Sequence, residues 1–424
     1  MEEQRKWSII REYFGLKYLE AGISFVIVFF IFIPLLILRK SKKNKVQKQE
    51  EKKRILLYGA YGNGSVGDDA ILQSILENLD ESIFDITISS YNPFLTKKST
   101  SHKLIWQGRT LDGLFYMYKT LKKTDILVFG GGGVLETHNN SFTTTIGMMY
   151  KFSKVYLAKL LGVKVYCFAV GSNTKPYSKL VHKLVSILLK NVDGISTRDQ
   201  KSFGFLKEIN SSIKIKSLAD PAMLLELNNM ETIKERPFTV GINVMPYYKL
   251  LNGDKSKLKE IRSEIAKCVE ILVEKYKAKV FFIPMVNGDD TEEQSAILEL
   301  ISNTENVTCL LPNYSPNELM VKLSNFDLFI GTRLHPNILA FNVNTPIIGI
   351  AYHDKIFSLF DHIQFPDFVH SIQNVSSKKI IQNVIEIMEN REVIKTKMNL
   401  RQKELKVLAK ESFEDLLDIS KNER

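Results

Sequence analysis

Phe326-Asp327-Leu328-Phe329-Ile330-Gly331-Thr332-Arg333-Leu334-His335 is a short apolar run that stops at a glycine and then presents an arginine and a histidine. The run has the length and composition of a strand, and Asn337-Ile338-Leu339-Ala340-Phe341, after Pro336, can wind as a helix. Arg333 and His335 are therefore expected on the loop at a strand's carboxyl end. In open α/β sheets ligands lie there, beyond the strand ends and near helix N-termini that favour anions. A permanently charged, planar guanidinium two residues from an imidazole suits binding an anion and moving a proton beside it. The alternative is an arginine paired to a nearby acid and a histidine satisfied by hydrogen bonds.

Other apolar runs end in similar loops. Ile55–Tyr58 is followed by Gly59-Ala60-Tyr61-Gly62-Asn63-Gly64-Ser65-Val66-Gly67-Asp68-Asp69 and a helical pattern over Ala70–Leu76. Gly62 to Gly67 spells the dinucleotide fingerprint, but Asp68 and Asp69 put like charge where a pyrophosphate would rest. No lysine follows Gly64 or Gly67, so a phosphate-cradling NTPase loop is excluded as well. What remains is a tight loop with exposed amides, whose carboxylates cap a helix or reach a hydroxylated ligand. Gly130-Gly131-Gly132-Gly133 follows the strand Asp125–Phe129; such a run is costly to order and implies close approach of backbone or ligand, or a nest of amides. Gly171-Ser172-Asn173 ends the strand Val163–Val170. Arg198, near the end of Ile195–Asp199, is either an anion contact or the partner of Asp199.

A polar stretch, Asn228–Arg236, reads as a linker, after which a second series begins at Phe238. It runs through a helix over Leu258–Tyr276, the strand Val280–Pro284, a turn at Met285–Asp290 whose acids start a helix after Thr291 or bind a hydroxyl, a strand over Asn306–Leu311, and Pro346–Ala351. That last strand ends at Tyr352-His353-Asp354-Lys355, where His353 and Lys355 are two further donors, unless Lys355 is simply solvated. Strands alternating with helical patterns such as Lys179–Leu189 indicate doubly wound sheets. The expected domains are 54–232 and 233–385, with a helical segment over 386–424 and an anchor with a basic tail over 1–53.

The chain's 424 residues exceed one ordinary core. Arg39 to Arg54 holds nine Lys/Arg against two Glu, so much of the formal net charge of +11 lies in one short segment and no nucleic-acid partner is required. Ala21–Leu38 carries no charge; as a helix it would cover roughly 27 Å, close to the hydrocarbon core of a bilayer. A single transmembrane helix is expected there, kinked at Pro34. The basic flank places the large carboxyl part in the cytoplasm of a single-pass cell-membrane protein and lets its lysines hold anionic lipid headgroups. Cys167, Cys268 and Cys309 are too few and too scattered for a disulfide framework or a zinc site, and are expected as reduced core residues. No metal site is visible.

Taken together, Tyr61-Gly62, Val66-Gly67-Asp68-Asp69-Ala70-Ile71-Leu72, Gly130-Gly131-Gly132, Ser196-Thr197-Arg198-Asp199, Ala219-Asp220-Pro221-Ala222, Arg333-Leu334-His335 and Pro346–Tyr352 resemble the polysaccharide pyruvyl transferases. The likeness covers about residues 54 to 380, and its nearest subgroup acts on cell-wall-linked polysaccharides. Ser65, where the family often has Asn, and Gly171-Ser172-Asn173, in place of a more glycine-rich turn, depart from it. The resemblance implies two Rossmann-like domains in a glycosyltransferase-B-type arrangement, phosphoenolpyruvate as donor substrate without a cofactor, and a sugar acceptor converted to a pyruvate ketal. It also places Arg333 and His335 in the donor site. On this basis His335 and Arg333 are the candidate catalytic residues. Arg198, Lys355, Tyr352, Gly131, Gly132, Asp68, Asp69 and Gly67 are candidate substrate contacts, and a glycan or lipid-linked glycan is the acceptor. A nucleotide-sugar glycosyltransferase on the same fold and a non-catalytic, membrane-tethered assembly protein are the rival functions.

Overall fold

The computed structural model describes residues 52–108, 111–137, 142–172, 177–227, 236–247, 254–286, 288–312 and 314–421. Among these no helix is long and apolar enough to cross a membrane. The span expected at 21–38, most of the basic tail and the linker at 228–235 lie outside the described residues.

In chain order the first elements are β1 (Lys53–Tyr58), α1 (Val66–Asn78), β2 (Phe84–Ser90), α2 (Pro93–Thr96), β3 (Lys103–Trp106), α3 (Leu111–Leu121), β4 (Ile126–Leu135), α4 (Phe142–Leu160), β5 (Lys164–Ser172), α5 (Lys179–Asn191), β6 (Gly194–Thr197), α6 (Gln200–Ile209) and β7 (Lys216–Ser217). Then come β8 (Thr239–Asn243), α7 (Lys255–Tyr276), β9 (Lys279–Phe282), α8 (Asp289–Leu298), β10 (Val307–Cys309), α9 (Pro316–Ser324), β11 (Leu328–Gly331), α10 (Leu334–Asn342), β12 (Ile347–Ala351), α11 (Asp354–His362), β13 (Val369–Ser371), α12 (Ser377–Glu389) and α13 (Arg391–Lys421). Contacts divide the chain into two compact units. Among the described residues, the first holds 52–63, Leu76–Asp220 and 411–421; the second holds Gly64–Ile75 and Pro221–Lys410. The change of unit at Asp220–Pro221 precedes the expected boundary at 232/233, and α13 is shared between the units rather than forming a segment of its own.

The first unit carries a seven-stranded sheet in the order β3-β2-β1-β4-β5-β6-β7, and the second a six-stranded sheet in the order β10-β9-β8-β11-β12-β13. The strand pairings are parallel. Both orders reverse after the first strand of their series, as in doubly wound folds, so each sheet has a switch point: β1/β4 in one, β8/β11 in the other. The central strands are apolar along their whole length because parallel sheets are covered on both faces; Thr239–Asn243, Leu328–Gly331 and Ile347–Ala351 are buried throughout. In the first unit Leu114 and Met117 of α3, Phe152 and Val155 of α4 and Leu188 of α5 join one core with Leu56, Leu127 and Val165 of the sheet.

Two strands run further than expected. β4 does not stop at Phe129 but continues through the glycines to Leu135, shifting register between Gly132 and Leu135. Gly131 and Gly132, expected in a loop, therefore belong to a strand, at φ of 80° and 89°. Gly130, at φ 130°, admits two close neighbours: a Cβ there would lie 2.7 Å from Val170 Cγ1, and its carbonyl accepts from the Tyr61 hydroxyl at 3.0 Å. Bare backbone at this bend is what the glycines supply. β5 likewise carries Gly171 and Ser172 inside the strand, while Asn173 lies outside the described residues. Helix α8 starts at Asp289, ahead of the expected Thr291. Cys167 and Cys268 are buried, whereas Cys309 is exposed because β10 is an edge strand.

Asp327 ties the second sheet together at its lower edge. It accepts from the Thr239 backbone N–H at 2.8 Å, the Thr239 hydroxyl at 2.9 Å and the Arg391 guanidinium at 2.7 Å. Burial works against its charge, but Arg391 and Thr239 outweigh it and hold the carboxyl below its ordinary value. A depressed carboxylate contributes stability that is present above its unfolded pKa and lost as pH falls through the folded one. Asp327→Asn is thus expected to cost roughly 2 kcal/mol near neutrality. In urea titrations the gap from wild type should close as pH drops below about 4.

Lys154 of α4 is 1% exposed, its Nζ 3.2 Å from the Tyr150 ring centroid, and burial holds its pKa well below the usual lysine value. Between the folded and unfolded pKa the unfolded chain binds the extra proton, so this group makes stability rise with pH. Lys154→Met is expected to raise the unfolding midpoint at pH 7 and to flatten its rise towards pH 10, as followed by circular dichroism.

Candidate functional site

The backbone that presents Arg333 is held at the second sheet's switch point. Gly331, the end of β11, lies opposite Asn243, the end of β8. The buried Asn243 side chain accepts from Arg333 N–H at 3.2 Å and donates to the Ile283 carbonyl at 2.9 Å. One turn into α10, Asn337 donates back to the carbonyls of Gly331 at 3.1 Å and Arg333 at 2.8 Å. Arg333 occupies the N-cap position of α10 in an extended conformation, with no side-chain capping bond. Arg333 thus supplies no side-chain acceptor to the first turn of the helix, whose positive dipole end lies at the sheet's carboxyl edge, an arrangement that favours an anion.

The guanidinium is aimed by Asp290. Its Nε donates to Oδ2 at 3.1 Å and its Nη2 to Oδ1 at 2.5 Å, and the same carboxylate, fully buried, also accepts from the backbone N–H groups of Met285 at 2.9 Å and Val286 at 3.2 Å. Such a two-point pair fixes orientation as well as charge. It uses one edge of the guanidinium; the edge bearing Nη1 is not part of it, and the side chain is 24% exposed. Glu293, one turn further along α8, is also fully buried and holds Arg262 by two bonds of 2.7 and 2.8 Å. Burial, with Glu293 and Asp290 adding to it, raises the nearby Tyr247 hydroxyl well above its ordinary value. Asn243 is a site residue that the sequence reading did not single out, and Asp290 was read only as one of the turn acids that start a helix or bind a hydroxyl. Their signal was position: Asn243 ends β8, the strand beside β11, and Asp290 follows β9, the next strand beyond β8.

His335 is half-buried in the first turn of α10, with its Nε2 atom buried. A Cβ built on Gly67 would overlap its imidazole at Nδ1 and Cγ, so only glycine allows the start of α1 to lie against this ring. Asp68 and Asp69 follow in that first turn, both half-buried. The stretch of α1 that belongs to the second unit is held by Ser74, whose hydroxyl donates to the Pro221 carbonyl at 2.5 Å, and by Gln73, which bonds Asn317 at 2.9 Å. Two motifs far apart in sequence, at 66–72 and 333–335, thereby meet.

At the end of β12, beside β11, His353 caps α11 and accepts from the Lys355 N–H at 3.4 Å. Lys355 Nζ lies 5.7 Å from the centre of the Tyr352 ring. These residues share the carboxyl edge of the second sheet with Arg333. Gly131, Gly132 and Arg198 belong to the first unit. Arg198 is 4% exposed; it donates to Glu136 at 2.6 Å and Asp220 at 3.3 Å and lies 3.7 Å from Asp199. Burial opposes its charge, yet Glu136, Asp220 and Asp199 hold its pKa above the ordinary arginine value. Gly171 makes room for it, since a Cβ there would come within 2.7 Å of Arg198 Nε. Of the two roles expected for Arg198, the geometry supplies the ion pair, with two more carboxylates than the sequence suggested. Among the described residues no cluster of three His, Cys, Asp or Glu side chains is arranged to hold a metal ion.

Comparisons with known proteins agree with this architecture. The chain is similar in fold to the UDP-GlcNAc 2-epimerase of Neisseria meningitidis solved with UDP-GlcNAc, at TM-score 0.57 and 15% identity, covering 86% of this chain and 100% of that one. It is similar to Anabaena Alr3699/HepE in complex with UDP and glucose, at TM-score 0.57 and 11% identity, covering 87% and 99%. At such identities the likeness is one of fold: two parallel-sheet α/β domains of the glycosyltransferase-B kind. In sequence the chain is 21% identical to the amylovoran biosynthesis protein AmsJ of Erwinia amylovora, over 86% of this chain and 99% of that protein. Residues 66–354, more than half of the chain, match the family described as "Polysaccharide pyruvyl transferase". A transferase of polysaccharide biosynthesis, this chain belongs to the polysaccharide pyruvyl transferase family.

Proposed function

We propose that the tip of β11 binds phosphoenolpyruvate and transfers its pyruvyl group to a sugar diol of a cell-surface polysaccharide or its lipid-linked precursor. The donor carries a carboxylate and a phosphate. The Nη1 edge of Arg333, the first amides of α10 and the ammonium of Lys355 are complementary to those charges. His335 delivers a proton to the methylene carbon, which becomes a methyl group and leaves an oxocarbenium-like centre. One sugar hydroxyl adds to that centre; a second displaces phosphate and closes the ketal, and the two hydroxyl protons replace the one given to carbon and leave with phosphate. Asp68 or Asp69 is the candidate for orienting or deprotonating the acceptor. The approach of Gly67 to the His335 imidazole carries this proposal, because it brings the acidic start of α1 to the proton donor. An acceptor at the cytoplasmic face of the membrane fits the apolar run at 21–38 and the basic tail after it.

Phosphate release from phosphoenolpyruvate, screened against lipid-linked sugar intermediates, tests the proposal; release of UDP from UDP-sugars instead would favour a glycosyltransferase. His335→Ala is expected to lower kcat by about 10²-fold or more. Arg333→Ala should chiefly raise the donor KM, and Asp290→Asn should do the same to a smaller degree by leaving the guanidinium unaimed. Wild-type rates in both His335→Ala and Arg333→Ala would place the chemistry elsewhere. Gly67→Ala is expected to lower kcat by roughly tenfold or more, since the new methyl group must push the imidazole aside; an unchanged kcat would mean that His335 does not work from this position.

A further inference from the structure

The outward side of α3 is not that of a solvated helix. Leu114, Met117 and Leu121 are buried in the core of the first unit, while Phe115 is 50% and Tyr116 53% exposed. Beside α3 lies β3, the edge strand of the seven-stranded sheet, whose Trp106 is 40% exposed. Ser90 pairs with Trp106, and α2, which begins just after Ser90, presents Phe94 at 86% and Leu95 at 46% exposure. Packing joins these pieces: Gly113 of α3 lies against the Gly108 backbone, and Gly108 lies against the Trp106 ring. Single apolar residues on a surface are ordinary, but several large exposed aromatics on neighbouring elements mark an interaction site.

Its charge identifies the partner. Lys97, Lys98, Lys103, Lys119, Lys122 and Lys123 are all exposed around these aromatics, and Asp112 is the only acid between residues 91 and 123. Lys119 Nζ lies 4.2 Å from the Phe115 ring centre and Lys122 Nζ 5.7 Å from that of Tyr118, so ammonium groups sit on the aromatic layer itself. The carboxyl end of α3 leads to Asp125, which pairs with Arg54 at 3.0 Å, and Arg54 is the last residue of the basic tail.

We infer that the α2–β3–α3 face docks on a membrane surface of anionic lipid headgroups. Phe94, Trp106, Phe115 and Tyr116 enter the boundary between headgroups and acyl chains, where amphipathic aromatics are favoured, and the lysines pair with lipid phosphates. A protein partner would use the unpaired backbone of β3. Lysines beside both groups of exposed aromatics favour lipid over that alternative. The docking does not depend on the donor chemistry proposed above.

Trp7 and Trp106 are the chain's two tryptophans, so Trp7→Phe leaves Trp106 as the sole reporter. The full chain is reconstituted with phosphatidylcholine vesicles carrying brominated acyl chains, with or without phosphatidylglycerol. Trp106 fluorescence should be quenched in the phosphatidylglycerol vesicles. Lys97→Glu/Lys98→Glu/Lys103→Glu, with its circular dichroism unchanged, should weaken that quenching roughly tenfold or more, and salt should weaken it too. Because quenching reports the depth of Trp106 alone, the result holds however the apolar run at 21–38 attaches the protein. Should the triple variant misfold, Phe94→Ser, at an exposed position, is expected to reduce the quenching instead. The inference is overturned if Trp106 stays unquenched in phosphatidylglycerol vesicles, if quenching is equal in phosphatidylcholine alone, or if Trp106 is shielded without lipid by a second copy of the chain or another protein.

Discussion

A fully buried carboxylate decides what Arg333 can do. Removing Asp290 from water costs several kcal/mol unless its oxygens are satisfied. Two backbone amides and two guanidinium donors satisfy them, which makes the arginine part of the second unit's frame rather than a loose surface cation. The first unit shows the contrasting case. Arg198 is enclosed by Glu136, Asp199 and Asp220, so its neighbourhood carries an excess of negative charge and its guanidinium is spent. One acid holds Arg333 by a single edge; three acids surround Arg198. That difference, more than the presence of arginine at two strand ends, distinguishes the Arg333 pair from the Arg198 cluster.

The two units use one topology in different ways. Their strand orders match over the first six strands, and each reverses direction at an equivalent pair. At β1/β4 the crossing is filled: Tyr58 stacks on Phe129 with ring centres 5.5 Å apart, and the buried Tyr61 bonds to the Gly130 carbonyl. At β8/β11 it is lined by asparagine side chains that hold backbone instead of filling space. The glycine fingerprint after β1 accordingly does other work. Its last glycine, Gly67, admits the His335 ring instead of approaching a pyrophosphate, in keeping with the acids that follow it.

Much of the fold was legible because parallel sheets leave a strong trace: uninterrupted apolar runs such as Leu328–Ile330 and Ile347–Ile350, each followed by a polar loop and a helical pattern. Strand ends were harder. Gly130–Gly133 reads as a loop by composition, yet neighbouring β5 supplies partners that keep it in the sheet, and no local signal carries that information. Asp290 was indistinguishable from an acid that starts a helix, since its partner lies 43 residues further along the chain. Arg198 was seen beside Asp199, its sequence neighbour, but Glu136 and Asp220 reach it only through the stacking of strands.

By itself the sequence determined that two alternating α/β series exist, that Arg333 and His335 follow a core strand, and that the motifs are those of pyruvyl transferases. These are properties of local pattern and order. Only the tertiary structure decided which arginine pairs with one carboxylate and which with three, and that Gly67 rests on the His335 imidazole. Both depend on contacts between residues distant in the chain, and such contacts exist only once parallel strands have brought their carboxyl ends to a common edge.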